Sequence, residues 1–191
     1  ISVYQNDYSR LPASGAPVAP DVVQGASTLG TDFTYGATVA STGYGTNVVN
    51  NNGAGYQESN RELMVILTAS SFAGYTPHSS VLGDRRNPRK TGYFHAKSSG
   101  SAGALASGGL GTDGVMRDPW GSPYIIALDL NYDGWVSNSI YNDNTVNSFN
   151  TGLARQGLAG TSTWALKDSV MIFSLGPDGR FAPSSAATAV A

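Results

Sequence analysis

The run Asp129-Leu130-Asn131-Tyr132-Asp133-Gly134-Trp135 carries the clearest chemistry in this chain. Oxygen-bearing side chains at alternate positions, followed by Gly at the sixth, match the opening of a calcium-binding loop of EF-hand type. In such a loop the Gly permits a sharp turn that aims Asp129, Asn131 and Asp133 inward at a hard cation. The Trp135 carbonyl would be the next oxygen, and Ser137 or a water another. The twelfth position holds Ile140 in place of a bidentate Glu, and Asp143 is a candidate for the missing carboxylate. The opposing reading is a plain strand-connecting turn, which favours Asp, Asn and Gly for its own backbone reasons. The expectation is one Ca²⁺ on Asp129, Asn131, Asp133 and the Trp135 carbonyl.

Other strings promise less. Gly109-Leu110-Gly111-Thr112-Asp113-Gly114 spells the dinucleotide fingerprint, but it follows no hydrophobic strand and opens no helix. A pyrophosphate needs that strand–turn–helix setting, so the string is read as coincidence. No Gly-x-Ser-x-Gly elbow stands after a strand, and neither His78 nor His95 has an acid placed beside it. Both are read as surface or edge residues. No catalytic residue is assigned, and the chain is expected not to be an enzyme. Arg85, Arg86, Arg89 and Lys90 form the one basic cluster in a chain of net charge -2. Without interleaved stacking aromatics they are read as a solvated loop, and no nucleic-acid partner is expected.

The elements that must carry these residues are outlined by periodicity. Ile1, Tyr4, Tyr8 and Leu11 are helically spaced, and Pro12 ends that helix because it lacks an N–H and restricts residue 11. Residues 12–57 read as a long loop holding one strand-like island, Asp32 to Tyr35. A second helix is predicted over 58–70, where Ser59-Asn60-Arg61-Glu62 fits a capping box. Leu63, Ile66 and Leu67, flanked by Met64 and Val65, give it a buried stripe.

From 93 to 179 the pattern is a β-sheet region with insertions. It comprises a short strand at Tyr93 to Ala96, a Gly/Ser/Ala tract over 98–114 and an Asp118-Pro119-Trp120-Gly121 turn. Tyr124 to Leu128 is predicted to be a strand buried on both faces, with Trp135 to Ser137 pairing against it. A polar insertion over 138–168 with a short helical piece near Leu153 precedes a final strand, Ser169 to Leu175. Trp120 and Tyr124 are expected to lie buried between sheet and second helix. Helix, loop, helix, then antiparallel meander makes the fold class α+β, in a single domain over 1–191.

Composition narrows the class further. Of 191 residues 40% are hydrophobic, enough for one core. Only 13% are charged, about half the usual quarter, while Gly numbers 24. Coiled coils, helical bundles and charged disordered tails are excluded. The absence of cysteine excludes disulfides, a thiol nucleophile and Cys-based zinc or iron–sulfur sites. No run approaches the roughly 18 apolar residues of a membrane span. An opening at Ile1 reads as a trimmed or processed chain, and the weakly charged polar surface suits a secreted or cell-surface bacterial protein.

Three segments carry a resemblance. Tyr4-Gln5-Asn6-Asp7-Tyr8-Ser9-Arg10-Leu11-Pro12 resembles the end of the long N-terminal helix in bacterial pseudopilins and related type IV pilin-like proteins. Asp118-Pro119-Trp120-Gly121-Ser122-Pro123-Tyr124 resembles the Asp-Pro-Trp-Gly-Asn-Pro-Tyr segment of the major pseudopilin of type II secretion. Ser174-Leu175-Gly176-Pro177-Asp178-Gly179 resembles that family's Ser-Leu-Gly-Ala-Asp-Gly. The order is the same, and the 12–57 loop and the 138–168 insertion are not covered. Asn60-Arg61-Glu62-Leu63 and the Asp-x-Asn-x-Asp-Gly loop resemble an enlarged, environmental branch of pilin-like proteins.

The resemblance implies a pilin-like fold, the end of a long N-terminal helix plus a second helix packed on a small antiparallel sheet. It implies an apolar, membrane-anchoring stretch upstream of Ile1 that assembles into a filament core, with the sheet domain facing outward. It also implies calcium in the loop after the last strand, where Asp178 matches a ligand. No second acid follows, since 180–185 reads Arg-Phe-Ala-Pro-Ser-Ser, and this shifts the expected ion to the Asp129–Asp133 loop.

The function so implied is a non-enzymatic structural subunit of a type II secretion pseudopilus or type IV pilus-like filament, stabilised by calcium. Its partners would be other pilin-like subunits and the secretion or pilus assembly machinery, with membrane contact only through the upstream helix. Its place would be the bacterial cell envelope, inner-membrane anchored with a periplasmic domain, or an extracellular filament. The alternative is a secreted, calcium-stabilised surface- or glycan-binding module that does not polymerise. A prepilin peptidase site and apolar helix upstream of Ile1 would distinguish the two.

Overall fold

The helical spacing of Ile1, Tyr4, Tyr8 and Leu11 is realised as α1, Ser2–Tyr8, in the computed structural model. The structure describes residues 1–13, 32–36, 59–77, 81, 84–100, 108–130, 132–137, 154–156, 163–174 and 176–177. Tyr4 and Leu11 are buried while Val3 is exposed, so the apolar stripe fixes the helix on the core. Ser9 turns left-handed at φ 51°, a common helix stop, and Pro12 forbids resumption.

The second helix, α2, is Asn60–Thr68. Ser59 Oγ accepts the Arg61 N–H at 3.3 Å, as an N-cap should. The wholly buried Glu62 carboxylate accepts the Tyr75 hydroxyl, which pins the following segment onto the first turn of α2. Leu63, Met64, Ile66 and Leu67 are buried. Ala69, left-handed at φ 54°, ends the helix.

Among the described residues there are eight strands, in chain order β1 Phe33–Tyr35, which precedes α2, then β2 Gly109–Leu110, β3 Met116–Arg117, β4 Ile125–Leu128, β5 Val136–Ser137, β6 Ala154–Gln156, β7 Thr163–Leu166 and β8 Val170–Phe173. Their ladders are antiparallel, in the orders β1-β4-β8, β2-β3 and β5-β7-β6. Strand alternation sends Phe33, Tyr35, Ile126 and Leu128 into one core with Tyr4, Leu63 and Ile66. Ala127 and Met171 face the other way and pack with Val136. The strand β4 is therefore buried on both faces, as its unbroken apolar run predicts. Two helices and small antiparallel sheets make the described residues α+β, the class the sequence suggests.

Several local expectations are corrected. Val136–Ser137 does not pair with β4, because β1 and β8 already occupy both edges of β4; it pairs with β7 instead. The central order β1-β4-β8 is accordingly not a meander. Tyr93 to Ala96 is no strand: the Tyr93 and Phe94 N–H groups donate to Leu67 O, satisfying a carbonyl at the end of α2. The helical piece expected near Leu153 is replaced at Ala154–Gln156 by β6, and Leu153 lies outside the described residues. Trp120 is 59% exposed rather than buried. The Asp118 side chain holds the backbone of this turn from inside, and the indole projects outward.

Two buried asparagines lock the layers. Asn60 donates to Met116 O at 2.8 Å and Tyr124 O at 2.9 Å, and accepts the Met116 N–H at 3.0 Å. Asn87 donates to Ile66 O and Thr91 O, both at 2.8 Å, and accepts the Tyr8 hydroxyl at 3.0 Å. Each ties backbone groups of separate segments together, and an apolar replacement would lose those bonds. Gly36, at φ +83°, ends β1 so close to the Tyr124 carbonyl that a Cβ would collide with it.

Candidate metal centre

The loop after β4 forms because Leu128 ends its ladder and the next side chain takes over the backbone. Asp129 is 3% exposed. Its Oδ1 accepts the Asp133 N–H at 3.3 Å and its Oδ2 the Gly134 N–H at 3.0 Å. Asp133 Oδ1 accepts the Trp135 N–H at 2.8 Å. Tyr132 at φ 58° and Gly134 at φ 84° are both left-handed, which curls the chain around Asp129. The Asp129 N–H donates to Ser169 O at 3.0 Å, anchoring the loop beside β8.

Burial pushes the Asp129 carboxyl above the ordinary range; the Gly134 N–H opposes this and the Asp133 charge reinforces it. Among the described residues no Lys or Arg is ion-paired with Asp129. Lys167 lies at the rim, its Nζ 5.9 Å from the Trp135 ring centre. Carboxylate oxygens keep lone pairs beyond one N–H each. Two carboxylates in a hard-oxygen loop suit Ca²⁺ better than a softer metal.

Of the five expected ligands, the structure brings Asp129, Asp133 and Trp135 into this one loop. Asn131 and Asp178 lie outside the described residues, as do Ser137's side chain, Ile140 and Asp143. Among the described residues no three His, Cys, Asp or Glu side chains converge as a metal cluster. The sequence reading passed over two neighbours. Asp32, 7% exposed, precedes Phe33, whose partner across the ladder is Leu128. It therefore occupies the position facing Asp129 at the same end of the β1–β4 pair. Tyr132 accepts the Leu11 N–H through its hydroxyl at 3.2 Å. No periodicity links either residue to its place at the loop.

The remaining candidates resolve into structural roles. The Gly109–Gly114 string is the β2 strand and the tip of the β2–β3 hairpin, with Gly114 N–H closing on Gly111 O at 2.9 Å. It opens no helix. In the basic cluster, Lys90 pairs with Asp84 at 2.8 Å and Arg89 lies 3.8 Å from Asp7, both at the surface. The Arg10 and Arg89 guanidinium groups lie 5.8 and 5.6 Å from the centre of the Tyr8 ring. Aromatics absent from the cluster's own sequence are thus supplied by α1. An apolar groove of about 280 Å³ is lined by Ile1, Met64, Phe94, Tyr124, Ile126 and Ile172, among others. Among the described residues no helix is long and apolar enough to cross a membrane. Comparison of the chain with protein-family models, curated proteins and solved structures finds no match.

Proposed function

We propose that this chain is the pilin-like domain of a structural, non-enzymatic subunit of a type II secretion pseudopilus or type IV pilus-like filament, stabilised by one calcium ion. One observation carries the reading: Tyr124 of the second resembling segment shares a single groove with residues that lie just before the first and the third. Ile1 leads into the first, Tyr124 closes the second and Ile172 runs into the third, and all three line that groove. The pairing of Ile125 with Phe173 puts Tyr124 and Ser174 side by side at one end of the β4–β8 ladder. A helix end, a turn into the central strand and the exit from its neighbour would then form one frame behind an outward-facing sheet. Calcium belongs to the reading through the Asp129 loop, where the buried Asp129 carboxyl has a second carboxylate, Asp133, as a charged neighbour. The partners proposed are other pilin-like subunits and the assembly machinery of the cell envelope.

The test is expression of the gene from its own first codon in the native cell. Sedimentable filaments that contain this chain and disappear when the gene is deleted are expected. A product recovered only as a free, secreted protein that binds a surface or glycan would replace this reading with the non-polymerising module.

A further inference from the structure

The Asp129–Trp135 loop reaches the segment after α1 through the Leu11 N–H, which donates to Tyr132 Oη across 121 residues of sequence. Leu11 is 2% exposed, so its N–H needs a partner within the protein. On the other side of this exit, Pro12 O accepts the Tyr35 hydroxyl at 3.1 Å. Two tyrosine hydroxyls therefore hold the chain as it leaves the helix. They are not equivalent. Tyr35 is wholly buried in β1, whereas Tyr132 is 56% exposed and sits left-handed at φ 58°. A non-glycine residue keeps that conformation only where its surroundings over-determine it. Here the surroundings are the two N–H bonds to Asp129 from the residues just after Tyr132. The hydroxyl is delivered to Leu11 while the loop stays curled around Asp129.

We propose that the Asp129–Gly134 loop and the exit of α1 form one coupled unit, with Tyr132 as the residue that transmits loop closure to Leu11. The proposal rests on the calcium reading above for its physiological lever: a cation on Asp129 and Asp133 closes the loop and thereby fixes the helix exit. Linkage makes the effect reciprocal, so packing α1 into an assembly tightens the cation site. Tyr132 is a positioning residue and not itself a ligand.

Amide hydrogen exchange on the whole chain, with and without about 10 mM calcium, above the range of weak extracellular sites, reads both ends at once. In the wild type the Asp133, Gly134 and Leu11 amides are expected to slow together, Leu11 by roughly fivefold or more, the lower bound of typical couplings. In Tyr132→Phe the loop amides should still respond and Leu11 should not. A Leu11 response preserved in Tyr132→Phe, or none in the wild type while Asp133 and Gly134 respond, overturns the coupling and leaves the calcium reading standing. If no loop amide responds, the calcium reading fails and the coupling is judged without metal. Asp129→Ala must then accelerate Leu11 exchange more than that of Leu67 in α2; equal acceleration overturns it. Should that variant fail to fold, Gly134→Ala opens the loop through its disfavoured φ of +84° with nothing within 4 Å of the added Cβ.

Discussion

Two Asp-rich segments, Asp113 to Ser122 around β3 and the Asp129 to Trp135 loop, are built on different electrostatic plans. In the first, Arg117 lays its two terminal guanidinium nitrogens on Asp113, at 2.9 and 2.6 Å, with the Arg117 side chain only 4% exposed. Asp118, 1% exposed, spends one oxygen on the Trp120 N–H at 3.0 Å and the Ser122 N–H at 2.8 Å. This turn carries its own cation. In the second, Asp129 also caps backbone N–H groups, but its neighbour in charge is another carboxylate, Asp133. The difference teaches that aspartates in a turn say little about ligand binding until the local charge is balanced. A turn that contains its counter-ion is a structural part. One whose buried Asp129 has another carboxylate acting on it is the turn that an external cation would stabilise.

The largest effect should come from breaking the self-contained turn. Arg117→Ala leaves Asp113 without its bidentate partner and should cost about 3 kcal/mol, the low end for breaking a buried pair because Asp113 is partly exposed. Urea denaturation measures it. A cost within experimental error would mean that Asp113 is no more balanced than Asp129, and the contrast would collapse.

Next in size is the response of the second turn to calcium. A tenfold excess over the dissociation constant should add about 1.4 kcal/mol by binding the native state alone. That amounts to roughly 3–6 °C in melting temperature for a chain of this size. Chelator should reverse the shift, Asp133→Ala should abolish it, and Arg117→Ala should leave it in place. Identical melting with calcium and with chelator would reduce the loop to a turn.

Smaller still is the loss of Trp120. With the indole 59% exposed, Trp120→Ala should cost under about 1 kcal/mol, since the first turn is held by Asp118 and the ion pair rather than by aromatic packing. A loss of several kcal/mol in the same denaturation assay would put the ring in the core and overturn that assignment.

The finest test is pH, without metal. Burial raises the Asp129 carboxyl above an ordinary aspartate's 3.8. The folded form therefore holds its proton more tightly than the unfolded form. The stability this group contributes is full below 3.8 and is lost as pH rises through the raised folded value. Asp129→Asn cannot ionise, so its advantage over the wild type should be larger at pH 7 than at pH 3. Parallel stability curves for the two proteins would show that Asp129 ionises as freely as a surface aspartate.

Much of the fold was legible in local order because helix and strand formation are decided by neighbours in sequence. The stripe of Ile1, Tyr4, Tyr8 and Leu11, the stop at Pro12, the Ser59 cap and the apolar runs of β4 and β8 each specify an element without outside help. The curl of the Asp129 loop was legible for the same reason, since Asp129 bonds to N–H groups only four and five residues ahead. Partners were not. The strand at Val136 went to β7 because β4 had no free edge, and the Tyr93 and Phe94 N–H groups went to the end of α2 because Leu67 O was there to accept them. The exposure of Trp120, the locks made by Asn60 and Asn87, Asp32 facing Asp129 and the Tyr132–Leu11 bond were settled the same way. A hydrogen bond across 121 residues leaves no period in the sequence. It exists because the folded chain brings an exposed hydroxyl to a buried N–H that must be satisfied, and only the tertiary structure decides which hydroxyl that is.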